Sequence, residues 1–323
     1  MALDYKRIFD KDAAIPAGAE QRATAGDRRD GIVYVYGEDI ELAVNVALAT
    51  ARPLLVRGPS GSGKSSLAQN VALKLGWRYY ERVISSITEA RDLLWRFDSV
   101  RQLADATSGG AKQYPPNRYL DPGPLWWAFS SETAELRGLD EPDDENVSRA
   151  EDPAKGVRNS DRAVVLIDEI DKADPDVPNN LLVPIGSLQF DIDFPEKTIR
   201  ADEKKPPLLI ITTNEERELP AAFVRRCVVT VLEKPSREKL LEIARAHFGE
   251  SKIGLYERLA DYLLEVAAAK EAKGDIAPST AEYLDAIAAC RRLSIKASHR
   301  KEEWNQISRL ILEKPQLPEA SSR

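Results

Sequence analysis

PLLVRGPSGSGKSSLAQNVALKL, residues 53–75, decides the fold. Its opening, Pro53 to Arg57, is a short apolar run of the kind that makes a buried strand, and its close, SSLAQNVALKL, spaces apolar side chains as a helix does. Between them Gly58-Pro59-Ser60-Gly61-Ser62-Gly63-Lys64-Ser65 matches GxxxxGK[ST]. Strand, glycine-rich loop and helix come in the order a phosphate-binding loop requires. The glycines let backbone N–H groups curl around phosphate oxygens, and the helix start adds the positive end of its dipole. Lys64 is expected to reach the β- and γ-phosphates and Ser65 to ligate Mg2+, with Ser66 completing the set.

Downstream, Val164-Val165-Leu166-Ile167-Asp168-Glu169 is an apolar strand that delivers two acids at its C-terminal end. Ligands of open α/β sheets gather at such ends. Asp168 is expected to hold Mg2+ through water, and Glu169 to orient or deprotonate an attacking water. Alone the pair reads equally well as exposed loop carboxylates; the upstream loop favours the chemical role. Leu208–Thr213 (LLIITT) and Val228–Leu232 (VVTVL) read as further strands. Ile40, Val44, Ala47 and Leu48 mark a helix over Glu38–Thr50. Strands and helices alternate, which predicts an α/β fold of the P-loop NTPase type with a parallel sheet flanked by helices.

After Pro235 the text turns helical: Ser236–Phe248, Leu255–Lys273, Ser279–Leu293 and a stretch around Trp304–Glu313. Ser279 and Glu282 have capping-box spacing. The expected organisation is a partly ordered lead-in (1–30), an α/β nucleotide-binding domain (31–235), a small all-helical lid domain (236–313) and a flexible tail (314–323). Residues 131–162 are acidic and polar without an apolar face, which predicts an exposed inserted loop. Pro184 should kink or end the helix after the acidic pair.

Composition narrows the function classes. A net charge of -7 over 323 residues argues against a general nucleic-acid or anionic-membrane surface. No apolar run approaches the ~20 residues of a membrane span, and MALDYKRIFDKDAAIP lacks the apolar core of a secretory signal, so a cytoplasmic location is expected. Cys227 and Cys290 belong to no CxxC pair and read as buried thiols. His247 and His299 are the only histidines, too few for a histidine metal site or a Ser-His-Asp triad; the first should pack in a helix, the second sit exposed.

With these motifs placed, the chain resembles the AAA+ ATPases, and within them the MoxR branch related to dynein-like members, over about residues 32–293. AVNVALATARPLLVRGPSGSGKSSLAQNVA, DPGPLWWAF, VVLIDEIDKADPDVPNNLL and IITTNEERELPAAFVRRC carry the resemblance. It implies an ATPase that works as a ring, by habit of the family a hexamer, with ATP and Mg2+ at the seams between subunits, remodelling or maturing a client protein. The partner of many such members carries a von Willebrand A domain, which this chain lacks. The resemblance makes Asn214 the sensor 1 residue and places the arginine finger at Arg225 or Arg226, acting on the neighbouring subunit's ATP. The base pocket is expected near residues 34–40 and the lid. Ala281 stands where many members carry the sensor 2 arginine at the start of a lid helix, and Arg291 and Arg292 lie about three turns on, ~15 Å away. Trp126 and Trp127 point to different sides of a helix, which leaves a partner contact open beside core packing. Two other functions fit the same residues: a nucleotide-gated scaffold with negligible turnover, and a nucleotide-driven motor on nucleic acid like the GTP-using restriction subunits.

Overall fold

A computed structural model describes residues 5–16, 31–108, 114–141, 148–156, 160–295 and 302–313. The expected tail, most of the lead-in and His299 lie outside them. The chain divides into two compact units: residues 1–32, 36–57 and 65–231 in one, and 33–35, 58–64 and 232–323 in the other.

The first unit is built on five parallel strands, β1 (Leu54–Arg57), β2 (Arg78–Val83), β3 (Ala163–Asp168), β4 (Leu208–Thr213) and β5 (Val228–Val231), in the order β5-β1-β4-β3-β2. Lys155–Gly156 adds an antiparallel edge beyond β2. Leu55 pairs with Ile211, and Ile211 with Ile167, so the three central strands run level and end together. Every residue of β3 and β4 is buried, the expected state of central parallel strands covered on both faces. The outer strands read differently. β2, RYYERV, is buried only in its first half, and β5 leaves Val229 and Val231 exposed. β2 therefore carries no continuous apolar run, which hides it from a search for one.

Helices α1 (Glu38–Thr50) and α2 (Lys64–Leu75) flank β1 in sequence. The helix after the acidic pair is split into Asp176–Asn180 and Leu182–Ser187. Pro184 has no N–H to give the carbonyl of Asn180, so the break falls one turn before it.

Within the lead-in, residues 5–16 pack against α1. Phe9 is buried, and the Asn45 side chain of α1 accepts from the N–H groups of Ile8 (2.6 Å) and Phe9 (2.8 Å) and donates to the Phe9 carbonyl (2.9 Å). One aromatic anchor and one asparagine leave no periodic trace. The acidic segment also departs from an exposed loop. It contains the short helix Ser131–Glu135 and the edge strand, and it buries Ala134, Ala150 and Ala154. Arg137, also buried, donates to the carbonyls of Leu120 and Ser148 and pairs with Asp121. Alanines and one arginine make these contacts, and none of them shows as an apolar face. Trp126 and Trp127 are both core residues, with 0% and 3% exposure, which removes them as partner contacts. The Trp126 indole donates to Thr133 Oγ1 at 3.0 Å and packs edge-on against Phe190.

In the second unit, α3 (Arg237–Phe248), α4 (Ile253–Glu271), α5 (Thr280–Arg292) and α6 (Glu302–Ser308) enclose a core of Leu240, Tyr256, Leu259, Tyr283, Ile287 and Trp304. Ser236 caps α3, and Ser279 with Glu282 forms the expected capping box of α5. His247 is half-buried on α3, its ring beside Phe248. None of the helices among the described residues is long and apolar enough to cross a membrane.

Both cysteines are free and buried. Burial pushes the Cys227 thiol up to about 11 from 9.0 and raises Cys290 as well. A shift of that size cuts the thiolate fraction of Cys227 at pH 8 by ~100-fold, and only the thiolate attacks. The native chain should therefore react with a water-soluble disulfide reagent at pH 8 far more slowly than the denatured chain; equal rates would contradict the buried placement.

Candidate nucleotide site

The level ends of β1, β3 and β4 bring together side chains that are far apart in sequence. Ser65, at the start of α2, donates its hydroxyl to the Asp168 carboxylate, 2.9 Å from Oδ1 and 2.8 Å from Oδ2. Asp168 is itself buried, at 4% exposure, and also accepts from Thr212 Oγ1 at 2.6 Å. That threonine in turn accepts from the Glu169 backbone N–H at 2.8 Å, which fixes the chain where it leaves β3. Glu169 takes the left-handed conformation there, with φ of 60°. Such a conformation costs a non-glycine residue about 1–2 kcal/mol. Strain of this kind collects where a side chain must be aimed.

Glu169 is aimed at Asn214, whose amide donates to Oε1 at 3.2 Å. Its other oxygen accepts from Lys172 Nζ at 2.7 Å, one helical turn on in the Ile170–Lys172 segment. This bond raises the lysine's pKa. Asp171, between them in sequence, is 2% exposed, and its Oδ2 accepts from the backbone N–H groups of Asn214 (3.1 Å) and Glu216 (3.0 Å).

In the other unit, the glycine-rich loop has positive φ at Gly58, Gly61 and Gly63. At Gly61 the need is also steric: a Cβ would lie 2.3 Å from Cβ of Ser279, the cap of α5. Lys64 is buried, and its ammonium donates to the carbonyls of Gly58 (2.7 Å) and Pro59 (2.8 Å). Tyr34 rests against the bare α-carbon of Gly63, and burial raises its phenol's pKa. Pro59 and Ser60 are exposed, while Ser62 and Ser66 are half-buried. Arg291 donates to the Phe248 carbonyl (2.8 Å) and the Tyr256 hydroxyl (2.7 Å), so its side chain is engaged in the packing of the helices.

Ser65, Asp168, Glu169 and Asn214 thus form one cluster. Arg225 and Arg226 stand apart from it, exposed just before β5, where Arg52 donates to their backbone carbonyls. Arg226 donates to the Ala222 carbonyl at 3.1 Å and packs over Gly186. The Arg225 side chain has no hydrogen bond or ion pair with the described residues. Sequence reading missed Thr212, Asp171 and Lys172. A threonine in the last two residues of an apolar strand, and polar residues within one turn of the acidic pair, are the signals that point to them.

The donors suit Mg2+. A serine hydroxyl and a carboxylate within 2.9 Å of each other are hard oxygen ligands. Mg2+ is ordinarily held by one or two such groups together with substrate phosphates rather than by a protein cage. Among the described residues no three His, Cys, Asp or Glu side chains gather as a cage would need.

Residues 53–227, more than half of the chain, match the sequence model of the family described as AAA domain (dynein-related subfamily). No curated protein matches the chain.

Proposed function

This chain belongs to the dynein-related AAA domain family and is therefore a nucleotide-binding protein of the AAA+ class; from that premise we propose that it hydrolyses ATP and uses the energy to remodel a partner protein. The observation that carries the proposal is the Glu169–Asn214 pair beside the Ser65–Asp168 pair, at the level ends of three parallel strands.

In this reading the loop Gly58–Ser66 binds the phosphates through backbone N–H groups, and Lys64 turns its ammonium to the β- and γ-phosphates. Ser65 and Asp168 hold Mg2+, which neutralises charge on the phosphates. Glu169 takes the proton of the attacking water, and Asn214 orients that water and the carboxylate. The two oxygens of Glu169 are engaged by Asn214 and Lys172, so turnover requires at least one of these bonds to be exchanged for water. That engagement also favours the second reading, a nucleotide-gated scaffold with negligible turnover.

Arg225, with its side chain unpaired among the described residues, is the better candidate for a finger acting on a neighbouring subunit than Arg226, which is tied to its own chain. A ring of identical chains, by family habit a hexamer, follows if it acts so. The client is a separate protein, of MoxR type one with a von Willebrand A domain. The acidic balance speaks against the motor on nucleic acid.

Turnover per chain should rise with protein concentration, and Arg225→Ala should lower it by ~10³-fold or more, Arg226→Ala by much less. Mixing Arg225→Ala chains with Lys64→Ala chains should restore part of the activity, since one supplies an intact site and the other an intact finger. Concentration-independent turnover with no restoration on mixing would remove the shared site.

A further inference from the structure

Asn214 reaches Glu169 only because the turn that carries it is held in an unusual shape. β4 ends at Thr213, and two residues later Glu215 has φ of 62°, a left-handed conformation that only neighbouring bonds can keep populated. Such a turn points alternate backbone N–H groups to the same side. Here the N–H groups of Asn214 and Glu216 converge on one atom, Oδ2 of Asp171, at 3.1 and 3.0 Å. Asp171 is buried at 2% exposure, and its second oxygen, Oδ1, is buried with no hydrogen-bond partner among the described residues. A carboxylate desolvated on one side and spent on two amides on the other is costly to place. Helix capping does not explain it, since its acceptor bonds go to a loop 43 and 45 residues away.

We propose that Asp171 is a positioning residue for hydrolysis: it sets the 214–216 turn so that the Asn214 amide meets the Glu169 carboxylate. It joins the end of β3 to the end of β4, the same two strand ends that Thr212 joins through Asp168 and Glu169. Thr212 thereby sets the backbone of Glu169, and Asp171 sets that of its partner. Both hydrogen bonds that Asp171 accepts come from the 214–216 turn, so its loss should act on the rate rather than on nucleotide affinity. The inference rests on the hydrolytic reading above.

The test is single-turnover ATP hydrolysis by the full chain, together with the Kd for ATP, in wild type, Asp171→Ala, Asp171→Asn, Asn214→Ala and the double variant Asp171→Ala/Asn214→Ala. A displacement of the order of 1 Å in a catalytic group costs ~10²-fold, so Asp171→Ala should lose about 10–100-fold in rate with Kd unchanged within about threefold. Asp171→Asn keeps an acceptor oxygen for the two amides and should recover most of the rate. In the double variant the rate should be no lower than in Asn214→Ala alone, because the aspartate acts through the asparagine. Wild-type rate in folded Asp171→Ala, multiplying losses in the double variant, or no recovery in Asp171→Asn would each overturn the proposal. Should Asp171→Ala fail to fold, Asp171→Ser, which keeps one short acceptor, takes its place in the same comparison. If wild type hydrolyses and Asn214→Ala does not, the hydrolytic reading stands whatever Asp171 does; absence of hydrolysis in wild type at every concentration sinks both.

Discussion

Lys64→Ala should weaken ATP binding by ~10²–10³-fold while leaving the chain folded. Lys64 is 6% exposed, and its ammonium makes two bonds of 2.7 and 2.8 Å to carbonyls of its own loop. A hydrogen bond to a charged group contributes about 1.5–3 kcal/mol. When phosphate oxygens replace the carbonyls, the lysine faces full negative charge instead of a dipole, and the gain grows. Losing two such bonds, taken in the lower part of that range, costs about 3–4 kcal/mol, or ~10²–10³-fold in affinity. The two carbonyls left behind at Gly58 and Pro59 belong to a loop with exposed residues, so water can satisfy them and the fold survives. Titration of a fluorescent ATP analogue beside a thermal melt reads both quantities. Unchanged affinity in a folded variant would mean that this loop is not the phosphate site.

Glu169→Gln separates binding from chemistry. The glutamine keeps the side-chain length, tolerates the same backbone and still offers Asn214 an acceptor in place of Oε1. What it cannot do is accept a proton. General-base catalysis is worth ~10²–10⁴-fold, so kcat should fall by that factor while the Kd for ATP stays within a few-fold. The Lys172 ion pair is lost as well, but it lies at a partly exposed site, with Glu169 and Lys172 side chains 25% and 40% exposed, where such pairs contribute little to stability. Phosphate release under saturating ATP gives kcat, and the same titration as above gives Kd. A variant that keeps wild-type turnover would move the base elsewhere and leave Glu169 a structural partner of Asn214.

The reach of sequence reading follows from how each feature is encoded. Gly58–Ser66 is legible because its chemistry is local: glycines, lysine and serine act within one turn of chain. Asp168 and Glu169 are legible because an apolar strand announces them. The strands β3 and β4 are legible because burial on both faces forces a continuous apolar run, whereas β2, RYYERV, mixes charged residues with tyrosines and escapes notice. In the 131–162 segment, alanines and Arg137 make the buried contacts, and an alanine too small to form an apolar stripe gives no sign of being inside.

Local chemistry and hydrophobic run length therefore determine, from the sequence by itself, that this chain has a phosphate loop, an acidic pair and an α/β core followed by helices. Only the tertiary structure decides which side chains meet. The pairing of Leu55 with Ile211 and of Ile211 with Ile167 levels the strand ends, and that level brings Ser65 to Asp168, Asn214 to Glu169 and Asp171 beneath the turn at Glu215. Contacts across more than forty residues depend on strand order and register, which arise from packing of the whole sheet and leave no mark in the spacing of the residues that use them.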